Sequence, residues 1–569
     1  MTSSDDPARP PQLPLTIDAE LPARRESSPS DYLAVTVVAT LLSLAAFLHF
    51  SRTGELLLYG DAVAHMNIAR RVIDSRTPGL LQLGTVWLPL PHLLMLPFVW
   101  STSLWSSGVG GSIPSMIAYI ASMVGIFRLV WVGLSCLPNY RSEARFVAWF
   151  AALACALNPN LLYLQSTAMT ETIYLAAYIW ATVHLSEFAI HLYRGDDRAA
   201  RKALVLSAVV LCLGALTRYD GWFAATLYGI VALALMIAAS LRSGLEPLHF
   251  LYERSWRRAV LAFIFILALT PAIWLSYNAL TFGDPLSFAN GPYSARAIEE
   301  RTRKPGDPHH PGWNAPRVGG LYFVESAKLN VAATERSERI WVYAALLGAV
   351  MTLGFIRPLW TWLLLWVPVP FYAISMAWGG VPIFIPKWWP FSYYNVRYGT
   401  QLIPAFVVFG SVLLYLFLRK FSWRKAKYLV AILAIAFVGW SYYGDWRDTP
   451  ISLREARANA FDRIALEKEL ATQIEQLPPS STVLMYLGEH GGAMQRIGFP
   501  LKRTINEGNY RYWQSALMNP AALADYVVAT QGDEVDTAIK AHPDGLVQVV
   551  VVRALRQNPV TIYRSTVPR

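Results

Sequence analysis

Residues 32–443 read as long apolar runs separated by short polar breaks. A helix that crosses a bilayer needs about 20 mostly apolar residues. Runs at 32–50, 113–137, 146–163, 172–192, 203–217, 222–241, 259–281, 340–356, 359–378, 402–418 and 428–443 approach that length. The pattern predicts about eleven transmembrane helices. A further apolar stretch, 88–105, carries Pro89, Pro91, Pro97 and His92, and is expected to lie in or dip into the interface. Two long polar segments interrupt the runs, at 51–112 and 282–339. In the first, AHMNIARRVIDS sets apolar residues at helical spacing with charges opposite, which suits an interfacial amphipathic helix.

The pattern changes after residue 443. RANAFDRIALEKELATQIEQL is a charged amphipathic helix closed by Pro478 and Pro479. The β-like runs TVLMYL, DYVVAT, LVQVVVV and VTIYRS follow, with helical stretches between them. Residues 444–569 are therefore expected to form a small α/β domain. GEHGGAMQRIG is glycine-rich but lacks the spacing of a nucleotide fingerprint, and no nucleotide site is assigned to it. Residues 1–31 are rich in Pro, Ser and charge and read as a disordered tail. The run 32–50 reads as an uncleaved anchor.

Composition sharpens the class. The 569 residues are 54% apolar and 15% charged, with mean hydropathy +0.33. A soluble chain carries about 25% charged residues. The aromatic share of 13% excludes a disordered chain. Cys136, Cys155 and Cys212 lie in or beside apolar runs and suggest no disulfide framework.

The net charge of +11 gives orientation. With 88–105 not spanning, the loops 138–145, 193–202, 242–258, the Arg357 turn and 419–427 share one side. They hold 16 Lys/Arg and five acids in roughly 45 residues, which marks that side as cytoplasmic. The N-terminus is then cytoplasmic and the C-terminal domain extracytoplasmic. Basic residues in short loops against the membrane exclude a nucleic-acid partner.

Four polar clusters stand at apolar boundaries, where charge is costly and marks function. Asp61 and His65 in GDAVAH share a helical face, and Asp61 also sits where a helix N-cap would. Glu171 in TAMTE occupies a short loop near the hydrocarbon edge, where burial raises a carboxyl pKa, or else it caps the next helix. Arg218-Tyr219-Asp220 forms a tight turn in which Arg218 and Asp220 either neutralise each other or leave Arg218 for an anionic ligand. KWWPFSYYNVRY carries Lys387, Tyr394, Arg397 and Tyr398, and an interfacial aromatic belt accounts for most of its rings but not for Arg397. By the charge-derived topology all four lie on the outer face. Arg128, inside the second run, either snorkels or pairs.

Two carboxylates and several cations at one apolar edge suit chemistry on a phosphate-containing lipid. A carboxylate serves as general base, and cations hold a leaving phosphate. In order and topology, GDAVAH, LNPNLLYLQSTAMTE, LTRYDGW, LTFGDPLSF and YNVRYGTQLIPA resemble the GT-C class of membrane glycosyltransferases. The likeness spans roughly residues 32–420 and is strongest to the branch with protein O-mannosyltransferases and lipid A aminoarabinose transferases. The resemblance implies a polyprenyl-phosphate sugar donor and inversion at the sugar carbon. It implies Asp61 as catalytic base and Glu171 as second acid. It places Arg397, with Arg218 and Lys387, near the donor phosphate.

Asp61 is followed by Ala62 where protein O-mannosyltransferases carry Glu, and no Asp-x-Asp occurs in the first loop. No cofactor is required, although Asp61, His65 and Glu171 are of the types that bind a divalent ion. The expected acceptor is a lipid, a glycan or a protein, and the expected setting a bacterial inner membrane. The rival reading is a transporter or flippase of a lipid-linked sugar. It leaves 444–569 idle and expects ionisable groups near the midplane.

Overall fold

A computed structural model describes residues 29–137, 143–292, 294–303, 306–355 and 357–568. Most of the expected N-terminal tail, and most of the loop 138–145, lie outside these residues. Eight helices among the described residues are long and apolar enough to cross a membrane. They match the expected runs that start at 32, 113, 172, 222, 259, 359, 402 and 428. The protein is an integral membrane protein.

The other three runs are helical but differ from the expectation. Asp197–Ala215 and Glu335–Phe355 are continuous helices with charged first turns. The run 146–163 is broken into Glu143–Ala156 and Pro159–Leu164. The break has a local cause: Asn158 caps the second piece through Leu161 N, and Pro159 stands at its first turn, where a missing N–H costs nothing. The stretch 88–105 forms a ten-residue helix, Leu90–Val99, and the turn Thr102–Ser106. Ten residues rise about 15 Å, half a bilayer core.

Glu171–Tyr193 runs through the centre of the bundle, and nine-tenths of its apolar window is buried. Such a helix must be apolar on every side. Val109–Ser135 and Asp197–Ala215 flank it. Pro29–Arg52 and Arg254–Phe282 are peripheral, with most of their surfaces exposed. Arg128 pairs with Glu187 at 2.7 Å across the central helices, which resolves its alternatives in favour of pairing.

After the last apolar helix, Arg424–Arg447, the chain turns at Asp448–Pro450 and continues as Ile451–Glu475. A five-stranded mixed sheet follows: β1 Val483–Met485, β2 Thr504–Ile505, β3 Tyr526–Thr530, β4 Leu546–Val552 and β5 Val560–Ser565. Its order is β2-β1-β3-β5-β4, with β1 parallel to β2 and β3, and β5 antiparallel to β3 and β4. Four strands fall in the expected runs, and β2 is additional. GEHGGAMQRIG folds as the helix Leu487–Arg496.

The first long polar segment does not stand apart. Its helix Gly60–Ile73 is wedged between the bundle and the sheet domain, with Ala62, Met66 and Ala69 fully buried. Its charged face meets protein: Arg71 pairs with Glu507 at 2.6 Å. The expected interfacial helix is thus a protein–protein wedge, because the C-terminal domain covers the face that was read as polar surface.

Candidate functional site

Four short segments converge where the bundle meets the C-terminal domain. Gly60–Ile73 carries Asp61 in its first turn. The expected N-cap role of Asp61 is corrected: Tyr59 is the cap, with no side-chain capping bond, and Asp61 is already helical. Glu171 opens the central helix. Asp220 opens Asp220–Arg242, with Arg218 just before it. Arg397 sits in the tight turn Val396–Leu402, ahead of the apolar helix Ile403–Lys420. This turn approaches Pro316–Leu329 so closely that a Cβ on Gly399 would stand 2.4 Å from Ala327 N.

Arg397 is the hub. Its Nη2 donates to Asp61 Oδ2 at 2.5 Å, its Nε to Glu171 Oε1 at 3.0 Å and its Nη1 to Glu455 Oε1 at 2.9 Å. Its backbone N–H donates to Glu455 Oε2 at 3.1 Å. The acids differ in access. The side chains of Glu171 and Glu455 are 2% and 0% exposed, whereas that of Asp61 is 43% exposed. Burial holds the Glu455 carboxyl above its usual range, and Arg397 pulls it back.

Arg218 forms a second node. It donates to Glu171 Oε1 at 3.4 Å, to Asp220 Oδ2 at 3.2 Å and to the Tyr372 hydroxyl at 3.1 Å. Tyr372 and Gln401 both donate to Asp220 Oδ2, at 3.1 and 2.7 Å. Tyr398 joins the nodes, with the Arg218 and Arg397 guanidiniums 4.6 and 5.0 Å from its ring centroid. Two buried acceptors in this cluster, Glu171 Oε2 and Asp220 Oδ1, have no hydrogen-bond partner.

The remaining expected residues lie around these nodes. His65 Nδ1 meets His92 Nε2 at 2.9 Å, and its ring packs on Trp87. Burial, with Arg218 and Arg397 nearby, pushes His65 down to about 3. Tyr219 donates to Val86 O and stacks on Phe288. Tyr394 is half-exposed and bridges by its backbone to Phe384. Lys387 is engaged elsewhere, with Glu338 at 2.8 Å and Glu325 at 3.3 Å. Among the described residues no group of three His, Cys, Asp or Glu side chains is arranged to hold a metal ion.

Sequence reasoning missed Glu455, Tyr59, Tyr372 and Gln401. Glu455 stands two residues before the charged run RANAFDRIALEKELATQIEQL, in the segment assigned to the C-terminal domain, and that run hid it. One signal was present: Leu453, Ala456, Ala460, Glu467, Leu470 and Ile474 recur at helical spacing, and Glu455 borders that buried row. A polar knot fixes this helix against the bundle. Asn160 Oδ1 accepts from Ser452 N, and Asn330 Oδ1 accepts from the Ser452 hydroxyl.

The structure is thus a helical membrane bundle with a small α/β domain at one end and an acid–arginine cluster at their junction. Among solved structures, the chain is similar to ArnT from Cupriavidus metallidurans bound to undecaprenyl phosphate. The TM-score is 0.53 at 11% identity, over 95% of this chain and 100% of that one. The apo structure of the same ArnT gives a TM-score of 0.50 at 13% identity, over 94% and 98%. ArnT is a lipid A aminoarabinose transferase. No family model matches the sequence, and neither does any curated protein. The GT-C-like fold expected from the sequence is the fold observed.

Proposed function

We propose that the protein is a membrane glycosyltransferase that moves a hexose or pentose from a polyprenyl-phosphate donor to a lipid, glycan or protein acceptor. The observation that carries this reading is the Arg397 hub, in which two sealed acids fix the guanidinium and a third, Asp61, stays open. Arg397 has five N–H groups, and three are engaged by Asp61, Glu171 and Glu455. One N–H on each terminal nitrogen remains for a phosphate oxygen. The unpartnered oxygens of Glu171 and Asp220 suit hydroxyl donors of a sugar. The ArnT likeness adds support, since that protein was crystallised with undecaprenyl phosphate.

In the reaction, Asp61 takes the proton of the acceptor hydroxyl as its oxygen bonds to the sugar's anomeric carbon. The bond from that carbon to the phosphate oxygen breaks on the opposite side. Polyprenyl phosphate leaves with both bonding electrons, its charge met by Arg397, and the anomeric configuration inverts. No acid is needed for so good a leaving group. The charge distribution of the loops supports an extracytoplasmic site and a cytoplasmic N-terminus, and the membrane we propose is a bacterial inner membrane.

The test supplies purified protein with a radiolabelled polyprenyl-phosphate hexose, a matching pentose donor and membrane extract as acceptor. Transfer of label, lost in Asp61→Asn and Glu171→Gln, is the expected result. Movement of intact labelled donor across a vesicle without transfer would overturn the reading in favour of transport.

A further inference from the structure

A cavity of about 240 Å³ lies behind the helix that carries Asp61. Val63 lines it, and two residues of helix turn Val63 about 200° away from Asp61. The cavity is therefore separate from the Arg397 hub. Its polar wall comes from Ser51, Ser106, Glu467, Gln495 and Arg496.

The wall is built rather than incidental. Glu467 is 2% exposed and pairs with Arg463 at 2.8 Å, and Arg463 in turn donates to the carbonyls of Leu57 and Leu58. A Cβ on Gly492 would stand 2.3 Å from Glu467 Oε2, so only glycine lets the helix Leu487–Arg496 close over that carboxylate. Gln495 is 1% exposed. Its Nε2 donates to Trp105 O, while its Oε1 is buried with no partner. Arg463 balances Glu467, so Arg496, exposed at the rim, leaves the cavity net positive.

The cavity also continues a lipid-facing surface. On the peripheral membrane helix Pro29–Arg52, the residues Leu33, Val37, Leu41, Leu44 and Leu48 are 45–66% exposed. They recur at intervals of three and four, forming one stripe. The next position in that series is Ser51, at the cavity wall. Acyl chains lying on the stripe bring a headgroup to the cavity.

We infer that this cavity seats the headgroup of a membrane phospholipid bearing N–H donors, of the phosphatidylethanolamine type. Its phosphate meets Arg496 and the Ser106 hydroxyl, and its ammonium meets Gln495 Oε1 and the Glu467 carboxylate. Its acyl chains follow the Leu33–Leu48 stripe. A choline headgroup, with no N–H to give, leaves Gln495 Oε1 unsatisfied.

Native mass spectrometry of the full-length protein in detergent tests the inference, with phosphatidylethanolamine, phosphatidylcholine and free phosphoethanolamine titrated separately. The expected result is that phosphatidylethanolamine is retained about tenfold more tightly than phosphatidylcholine. Arg496→Ala, a surface change, should weaken retention of both lipids, and Arg496→Lys should restore part of it, whereas Gln495→Met, which removes the unpartnered oxygen, should remove the preference for phosphatidylethanolamine. Equal retention of the two lipids by the wild type, unchanged retention in Arg496→Ala, or an unchanged preference in Gln495→Met overturns the inference. Free phosphoethanolamine binding as tightly as the lipid overturns the role of the stripe.

Discussion

Asp61→Asn separates chemistry from architecture at the Arg397 hub. The change keeps side-chain size and removes one charge. Asp61 is 43% exposed, and an ion pair that open to solvent contributes about 0–1 kcal/mol to stability. Glu171 and Glu455 still neutralise Arg397 from the buried side, so the hub keeps its shape. Melting in detergent should therefore change little. Under the proposed function the chemical step loses its proton acceptor, an effect of about 10²–10⁴-fold. At about 1.36 kcal/mol per tenfold, the barrier rises by about 3–5 kcal/mol. The assay is kcat and KM for labelled donor on purified protein, beside a melting curve of the same sample. A fall in kcat with KM and melting preserved is expected. Turnover at the wild-type rate would falsify the assignment of Asp61 as base.

Other substitutions report on the supports. Glu455→Gln keeps an oxygen for Arg397 but removes a fully buried counter-charge, and should lower stability by about 2–3 kcal/mol together with activity, read as a lower melting temperature. Gly399→Ala drives a methyl into the backbone of Ser326 and Ala327; it should cost about 1–3 kcal/mol and displace Arg397, seen as a lower melting point and lost transfer. His65 ionises at about 3 in the folded protein against 6.5 ordinarily, so its contribution to stability is complete above pH 6.5 and is lost as pH falls toward 3. Between pH 7 and 5 the wild type should lose about 2 kcal/mol more than His65→Asn, measured by unfolding at each pH. Lys387→Met should leave the donor KM unchanged while lowering stability, because Lys387 serves Glu338 and Glu325.

The long apolar runs made the bundle legible, since length and hydropathy alone decide whether a helix suits a membrane. The meeting of Asp61, Glu171, Arg218 and Arg397 was foreshadowed by their shared position at the same ends of apolar runs. The break at Asn158–Pro159 was written in the sequence as a cap and a helix-opening proline, but the apolar residues on both sides masked it. Strand β2 is two residues long, too short for any alternation to register. Glu455 was opaque for a different reason. A charged helix looks like solvent-facing surface until its partner is known, and the partner of Glu455 lies 58 residues earlier in the chain.

That distance bears on how the protein matures. The hub joins side chains at 61, 171, 397 and 455. The last of them is made only after every apolar helix has been synthesised. Until Ile451–Glu475 folds back onto the bundle, Arg397 lacks its innermost counter-charge and the wedge helix Gly60–Ile73 lacks its roof. A chain stalled or cut before residue 455 carries the membrane bundle but an unfinished site. Completion of the C-terminal domain is thus a checkpoint on competence, and transplanting the bundle without that domain would carry the anchor and leave the working centre behind.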